Sequence, residues 1–168
     1  MVSVFRKSQR IHASLSEAWD FFSDPGNLPA ITPPRMAFRI LSAPCPRIYP
    51  GQILRYSVTP LPGYRAEWVS EITQVRAPGY FVDEQRSGPY RIWHHEHFLR
   101  PTEGGVEVED LIHYELPFGR LGALLAGRLV VRELEAIFAF RARALAARFP
   151  PSTGPSPRDS MPDSDSDA

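Results

Sequence analysis

The stretch GRLGALLAGRLVVRELEAIFAFRARALAARF, residues 119–149, dictates how the rest of the chain must be arranged. In it Leu124, Val131, Leu134, Phe138, Ala142, Leu145 and Phe149 recur at spacings of three, four or seven, which places them along one side of a helix. Arg128, Arg132, Glu135 and Arg143 fall largely off that stripe, so the segment predicts an amphipathic helix lying on a core and not a membrane span. At 1.5 Å per residue it would run roughly 45 Å, long enough to cross a whole small sheet.

The residues before it supply that sheet. Runs with strand character cover 36–41, 52–59, 66–75, 80–86, 90–100 and 106–116, and turn residues punctuate them: Pro44, Pro46, Pro50 and Gly51; Pro60, Pro62 and Gly63; Pro78 and Gly79; Gly88 and Pro89; Gly104 and Gly105. Connections this short favour antiparallel neighbours in a meander. Upstream, Val2, Val4 and Phe5 open a first strand over 2–11, and Ser14 with Glu17 has the spacing of a capping box. Leu15, Ala18, Trp19 and Phe22 share one helical face, which Asp24, Pro25, Gly26 and Asn27 bring to a stop. Leu28 to Ile31 then has room for one more turn before Pro33 and Pro34, giving two short helices after strand 1.

Composition bounds what such a domain can do. With 43% apolar residues among 168, the chain can bury one core. Lysine plus arginine equals aspartate plus glutamate at 19 each, so no basic field exists to hold a phosphate backbone, and no nucleic-acid partner is expected. Residues 150–168 carry Asp159, Asp163, Asp165 and Asp167 against Arg158 and are dense in Pro, Ser and Asp; they are expected to be a disordered acidic tail after a single domain at 1–149. The lone Cys45 allows no internal disulfide and no multi-cysteine zinc site. Arg6, Lys7 and Arg10 interrupt the apolar residues near the start, and no run of 18 apolar residues occurs, so a cytoplasmic protein without membrane insertion is the expectation.

Several motifs carry a resemblance. The segment Ser14 to Phe22 followed by Asp24-Pro25-Gly26-Asn27-Leu28, then Phe81 to Gln85, Gly88-Pro89-Tyr90, Trp93 to Phe98, Asp110 to Tyr114 and Pro117-Phe118-Gly119 resemble the START-like superfamily, also called SRPBCC or polyketide cyclase/dehydrase-like, and its bacterial ligand-binding branch. The resemblance spans about residues 4–149. It implies an α+β helix-grip fold, in which a curved antiparallel sheet of six to seven strands wraps around the long C-terminal helix. Members include lipid carriers, hormone receptors, cyclases, hydroxylase subunits and chaperone activators, so the fold does not settle the chemistry. The paired Cys and His ligands of a Rieske cluster are missing from this sequence.

The chemistry-bearing residues cluster late in the sheet. An extended chain from Tyr90 to Phe98 puts Trp93, His95 and His97 on one face, and a turn at Glu103 and Gly104 sets His97 opposite Asp110, His95 opposite Ile112 and Trp93 opposite Tyr114. The preceding strand adds Phe81, Asp83 and Gln85 at alternate positions. Facing inward, these residues would form a pocket wall, with aromatic area for packing and a few polar groups to orient a ligand. The same geometry equally describes His97 and Asp110 as a cross-strand pair that satisfies itself and sets register. A metal triad of His95, His97 and Asp110 is weighed against strand geometry: alternate positions stand about 7 Å apart unless the side chains lean together. No metal and no cofactor are therefore expected.

Three functions fit this reading. One is a carrier or binder of a small, largely apolar molecule between sheet and helix; its rival is a cyclase or dehydratase acting on such a molecule, with His97 and Asp110 as the catalytic candidates. A third is a module that stabilises a protein partner, whose identity the sequence leaves undefined. The arginines of the last helix, Arg141 among them, read as a solvated face.

Overall fold

The computed structural model describes residues 2–61 and 63–151, so most of the expected acidic tail, and Pro62, lie outside the described residues. Strand β1 (Ser3–Ile11) leads into helix α1 (Leu15–Phe22). Its capping box forms: the Glu17 backbone N–H donates to Ser14 Oγ at 3.2 Å, and the Ser14 N–H donates back to the Glu17 carboxylate at 2.9 Å. Asp24 then accepts from the Gly26 N–H at 2.8 Å and starts a 3₁₀ segment, Pro25–Ile31, followed by a second at Pro34–Met36.

Five long strands follow a short one: β2 (Arg39–Ile40), β3 (Gln52–Leu61), β4 (Tyr64–Arg76), β5 (Tyr80–Ser87), β6 (Ile92–Thr102) and β7 (Gly105–Glu115). Helix α2 (Gly119–Arg148) closes the fold. The sheet order is β1-β7-β6-β5-β4-β3-β2, and each neighbouring pair is antiparallel. The register of β4 against β5 shifts twice, at Val69/Ser70 and at Ile72/Gln74. Such irregularities bend a strand and raise its twist, which lets seven strands curve around one helix. The arrangement is the α+β helix grip.

Two expectations need correction. The strand over 36–41 shrinks to Arg39–Ile40, because Met36 still belongs to a 3₁₀ turn and Ala37 sits in the left-handed region at φ 44°. In α2 the second half packs as expected through Leu134, Phe138, Leu145 and Phe149, but Leu124 and Val131 face outward and Val130 is buried in their place. From the first half of the helix Ala126 and Val130 turn toward an open space between sheet and helix, and Leu124 and Val131 fall at the edge of the stripe they define.

Two core clusters bracket that space. At one end Ile11, Ala18, Phe21, Ile31, Val106 and Leu145 pack α1 and the C-terminal end of α2 onto the sheet. Phe5, Ile112, Tyr114, Val130 and Phe138 hold the middle of α2 against β1 and β7. No helix among the described residues is long and apolar enough to cross a membrane.

Candidate functional site

The hairpin between β6 and β7 sets the site. Gly104, at φ 75°, supplies the left-handed residue that closes a two-residue turn, so Thr102 pairs with Gly105 and Pro101 with Val106. Counting back, His97 faces Asp110, His95 faces Ile112 and Trp93 faces Tyr114, while β5 sets Phe81 beside His97 and Asp83 beside His95. Strand alternation sends all of these to the concave side. His94, Glu96 and Phe98 take the opposite face, where His94 pairs with Glu84 at 3.0 Å and the Tyr80 hydroxyl donates to Glu96 at 2.9 Å.

On the concave side two imidazoles, two carboxylates and one guanidinium converge. His95 Nε2 donates to Asp110 Oδ1 at 2.8 Å, and His97 Nε2 bonds Asp83 Oδ1 at 2.9 Å. The two rings are 3.8 Å apart, and Phe81 stacks on His97 at 4.0 Å. From α2, Arg141 Nη1 donates to the same Asp110 oxygen at 3.0 Å while its guanidinium lies over the Phe138 ring. His97 Nδ1 stands 3.1 Å from that oxygen but off the angle of a hydrogen bond, which leaves it a buried nitrogen without a hydrogen-bond partner.

Burial pushes every charge in this cluster toward neutrality, and pairing decides which ones survive. Against burial, the Arg141 charge and the imidazole hydrogen bonds hold Asp110 well below the usual carboxylate range. Burial works the same way on Asp83, and its bond from His97 and the neighbouring positive charges again outweigh it and bring it down. Between the histidines the outcome splits. Burial and the like charge of His97 push His95 down, whereas the attraction of Asp110 and Asp83 overcomes burial at His97 and raises it. Of the two imidazoles, His97 is therefore the one whose protonated form the cluster favours.

The linkage signs follow. The two carboxylates stabilise the fold above the ordinary aspartate range, and that stabilisation is lost as acid protonates them. The His97 contribution is complete below the ordinary histidine value and is lost as pH rises through its higher folded-state value. In metal-free protein the His97 ring should titrate above a free imidazole, and Asp110→Asn should lower that midpoint, followed by NMR of the ring. A His97 midpoint below that of free imidazole in the unaltered protein would contradict this charge assignment.

This cluster lines one side of a hollow of about 540 Å³ between sheet and α2. Trp68, Tyr90 and Trp93 form an aromatic wall, with Trp68 edge-on to Trp93 at 5.1 Å and Tyr90 at 4.7 Å from Trp93. Burial raises the phenols of Tyr56 and Tyr90 above the usual tyrosine value, so both remain neutral donors. Pro60, Pro89, Phe118 and Leu125 border the space on its outer side, and Phe118 and Leu125 are strongly exposed.

Of the nine residues singled out in the sequence, Phe81, Asp83, Trp93, His95, His97 and Ile112 border the hollow. Asp110 lies behind the histidines, and Tyr114 is buried in the core, its ring 6.5 Å from Trp93. Gln85 turns elsewhere: its side-chain amide donates to the Tyr90 carbonyl at 2.6 Å and accepts from the Tyr90 N–H at 3.2 Å, so it braces the β5–β6 connection. Sequence reasoning did not single out Trp68 and Tyr90 of the aromatic wall, nor Arg141. The position of Arg141 is three after Phe138 and four before Leu145, on the buried stripe itself, and that phase was the available signal.

No family model matches the chain, and no curated protein matches it. Solved structures do. A START superfamily protein from Mycobacterium smegmatis superimposes with a TM-score of 0.65 at 15% identity, covering 87% of this chain and 96% of that one. Norcoclaurine synthase from Thalictrum, solved as a point mutant with a transition state analogue, gives 0.64 at 16% identity over 88% and 97%. A Thermus thermophilus protein gives 0.62 at 14% identity over 87% and 96%. Identities this low speak for backbone architecture, and across nearly the whole length of each partner they agree that this chain has the START-like helix-grip fold.

Proposed function

We propose that the protein binds a small, largely apolar molecule in the hollow between sheet and α2. The observation that carries this reading is the make-up of the lining: an aromatic wall of Trp68, Tyr90 and Trp93, and a charged cluster of Asp83, His95, His97 and Arg141. Apolar area supplies affinity, and a charged cluster at one place in the lining orients the ligand. The expected ligand is therefore an elongated or ring-bearing hydrophobic molecule with one polar end, directed at His97 and Asp83.

An uncharged fluorescent probe, N-phenyl-1-naphthylamine, tests this directly. The protein should take it up with blue-shifted emission, and Trp93→Ala should weaken binding roughly 10-fold, the equivalent of about 1.4 kcal/mol for a truncated aromatic contact. Tyr80→Phe, on the opposite face, should leave it unchanged. A folded protein that takes up no probe would exclude an accessible apolar space, and with the exposed apolar residues Phe118, Leu124 and Leu125 it would favour the partner-stabilising reading.

A cyclase or dehydratase is the second reading, favoured by one observation: His97 is clasped by Asp83 and Asp110 while bordering the hollow. A buried imidazole with carboxylates on both ring nitrogens has the parts of a general acid or base. His97→Gln discriminates the two. In a carrier it changes affinity or stability modestly, whereas in an enzyme it abolishes turnover while binding survives.

A further inference from the structure

We propose that Asp83, His95 and His97 form a binding site for one divalent transition-metal ion, with Asp110 and Arg141 as its supporting layer. The proposal goes beyond the apolar-ligand reading and stands or falls separately from it.

Distance is the first argument. The donor atoms of Asp83, His95 and His97 all lie within 4.8 Å of one another. Asp83 Oδ1 is 2.9 Å from His97 Nε2 and 3.5 Å from His95 Nδ1. Two ligand atoms each about 2.0–2.1 Å from a single ion, at octahedral to tetrahedral angles, stand about 2.8–3.4 Å apart. The 2.9 Å separation lies inside that span and the 3.5 Å separation just beyond it, so modest side-chain movement would admit an ion. The objection from strand spacing is met by the side chains: the rings of His95 and His97 lean together to 3.8 Å, and the third donor is Asp83 from β5 in place of Asp110.

Orientation is the second argument. His95 gives its Nε2–H to Asp110, which turns the lone pair of Nδ1 toward the Asp83 oxygen. Two lone pairs facing each other with no proton between them repel, and a cation between them removes the repulsion. On His97 the remaining ring nitrogen, Nδ1, is buried without a hydrogen-bond partner, 3.1 Å from Asp110. With Nε2 on a metal, that nitrogen carries the proton and needs only a small ring rotation to donate to Asp110. Both histidines would then have a carboxylate behind them, the usual support of a metal-ligating imidazole. Arg141 keeps Asp110 ionised and fixed.

Donor chemistry and access define what would bind. Two imidazoles and one carboxylate suit zinc, cobalt or ferrous iron over magnesium or calcium, which prefer all-oxygen surroundings. All three residues border the hollow, so the remaining coordination positions open toward it. Once Arg141 offsets Asp110 and Asp83 offsets half of the ion, one positive charge remains. An anionic oxygen donor, such as a carboxylate or enolate on the bound molecule, would neutralise it.

The test is titration of EDTA-treated, dialysed protein with cobalt(II) chloride, followed by visible d–d absorption. The expected result is saturation at one equivalent, loss of affinity by more than about 100-fold in Asp83→Asn, and a loss of roughly 10–100-fold in Asp110→Asn, as expected for a residue behind the ligands. His94→Gln, on the outer face, should bind like the unaltered protein. Because a core variant can fail to fold, zinc chloride is added in parallel to unaltered protein and the five histidine rings are followed by NMR. His95 and His97 should shift, and His12, His94 and His113 should not. Failure of the folded, unaltered protein to take up cobalt(II), binding that survives in Asp83→Asn, or zinc shifts at His94 or His113 would each overturn the site. Probe uptake measured in EDTA reports on the apolar-ligand reading alone, so the two proposals fail independently.

Discussion

Replacing Arg141 by methionine should lower the unfolding free energy by about 3 kcal/mol at neutral pH, read from urea denaturation. The guanidinium is the only fixed positive charge touching Asp110 among the described residues, and both partners are nearly sealed from solvent, at 12% and 6% side-chain exposure. Removing one member of a buried pair costs about 3–5 kcal/mol because the other charge stays behind in a poor solvent. His95 and His97 offset part of that loss, which places the expected figure at the lower end. They also give the variant a pH signature. Without Arg141 the cluster loses a positive charge beside Asp110, so the native state gains more from protonating the neighbouring imidazoles. The native state then binds more protons than in the unaltered protein, and stability falls more steeply as pH rises, by up to about 1.4 kcal/mol per pH unit for one proton. A loss below about 1 kcal/mol, with no added pH dependence, would reduce the contact to the worth of a surface ion pair.

Leu145→Ala should cost about the same, near 3 kcal/mol within the range of about 2–5 for such truncations, yet leave the site untouched. Leu145 lies four residues beyond Arg141 on α2, is fully buried among Ile11, Phe21, Val106 and Phe149, and does not border the hollow. The lost methyl groups leave a cavity that the two β-strands and two helices around it cannot close without moving together. Urea denaturation should show the loss while binding of N-phenyl-1-naphthylamine to the folded fraction stays the same. A weakened probe affinity in this variant would mean that the closed end of the grip and the hollow respond as one unit.

The two variants sit one helical turn apart, and the contrast shows how far sequence reasoning reached. The burial of Leu145 was legible because three- and four-residue spacing is a local property of a helix. Arg141 was read as solvated on the strength of residue type, although its position put it on the buried stripe; its partner Asp110 lies 31 residues away, and only folding brings the two together. The β6–β7 register was legible from the Glu103–Gly104 turn, since one turn sets every pair along a hairpin. The roles within that register were less so. Sequence order made Asp110 the third partner of the histidines, whereas Asp83 from β5 reaches His97 and Asp110 anchors from behind. Gln85, placed on the same face by alternation, is held to the Tyr90 backbone because Gly88 and Pro89 fold the chain back toward it. The outward-facing Leu124 and Val131 show the same limit: periodicity marks the apolar side of a helix only to within a position, and Val130 takes the buried place next to Val131.

Alternation, turn chemistry and helical spacing are encoded over a few neighbouring residues, and they were enough to predict six to seven antiparallel strands and one long amphipathic helix, with the wrapping of one around the other implied by the family resemblance. The separation between groups from distant strands and α2 is not encoded locally. It depends on how strongly the sheet curves and where the helix comes to rest, and a change of an ångström or two separates a satisfied histidine from a metal ligand. That is why the architecture and the shared face of Asp83, His95, His97 and Asp110 could be read along the chain, while the contacts of Asp83 with the histidines and of Arg141 with Asp110 emerged only in three dimensions.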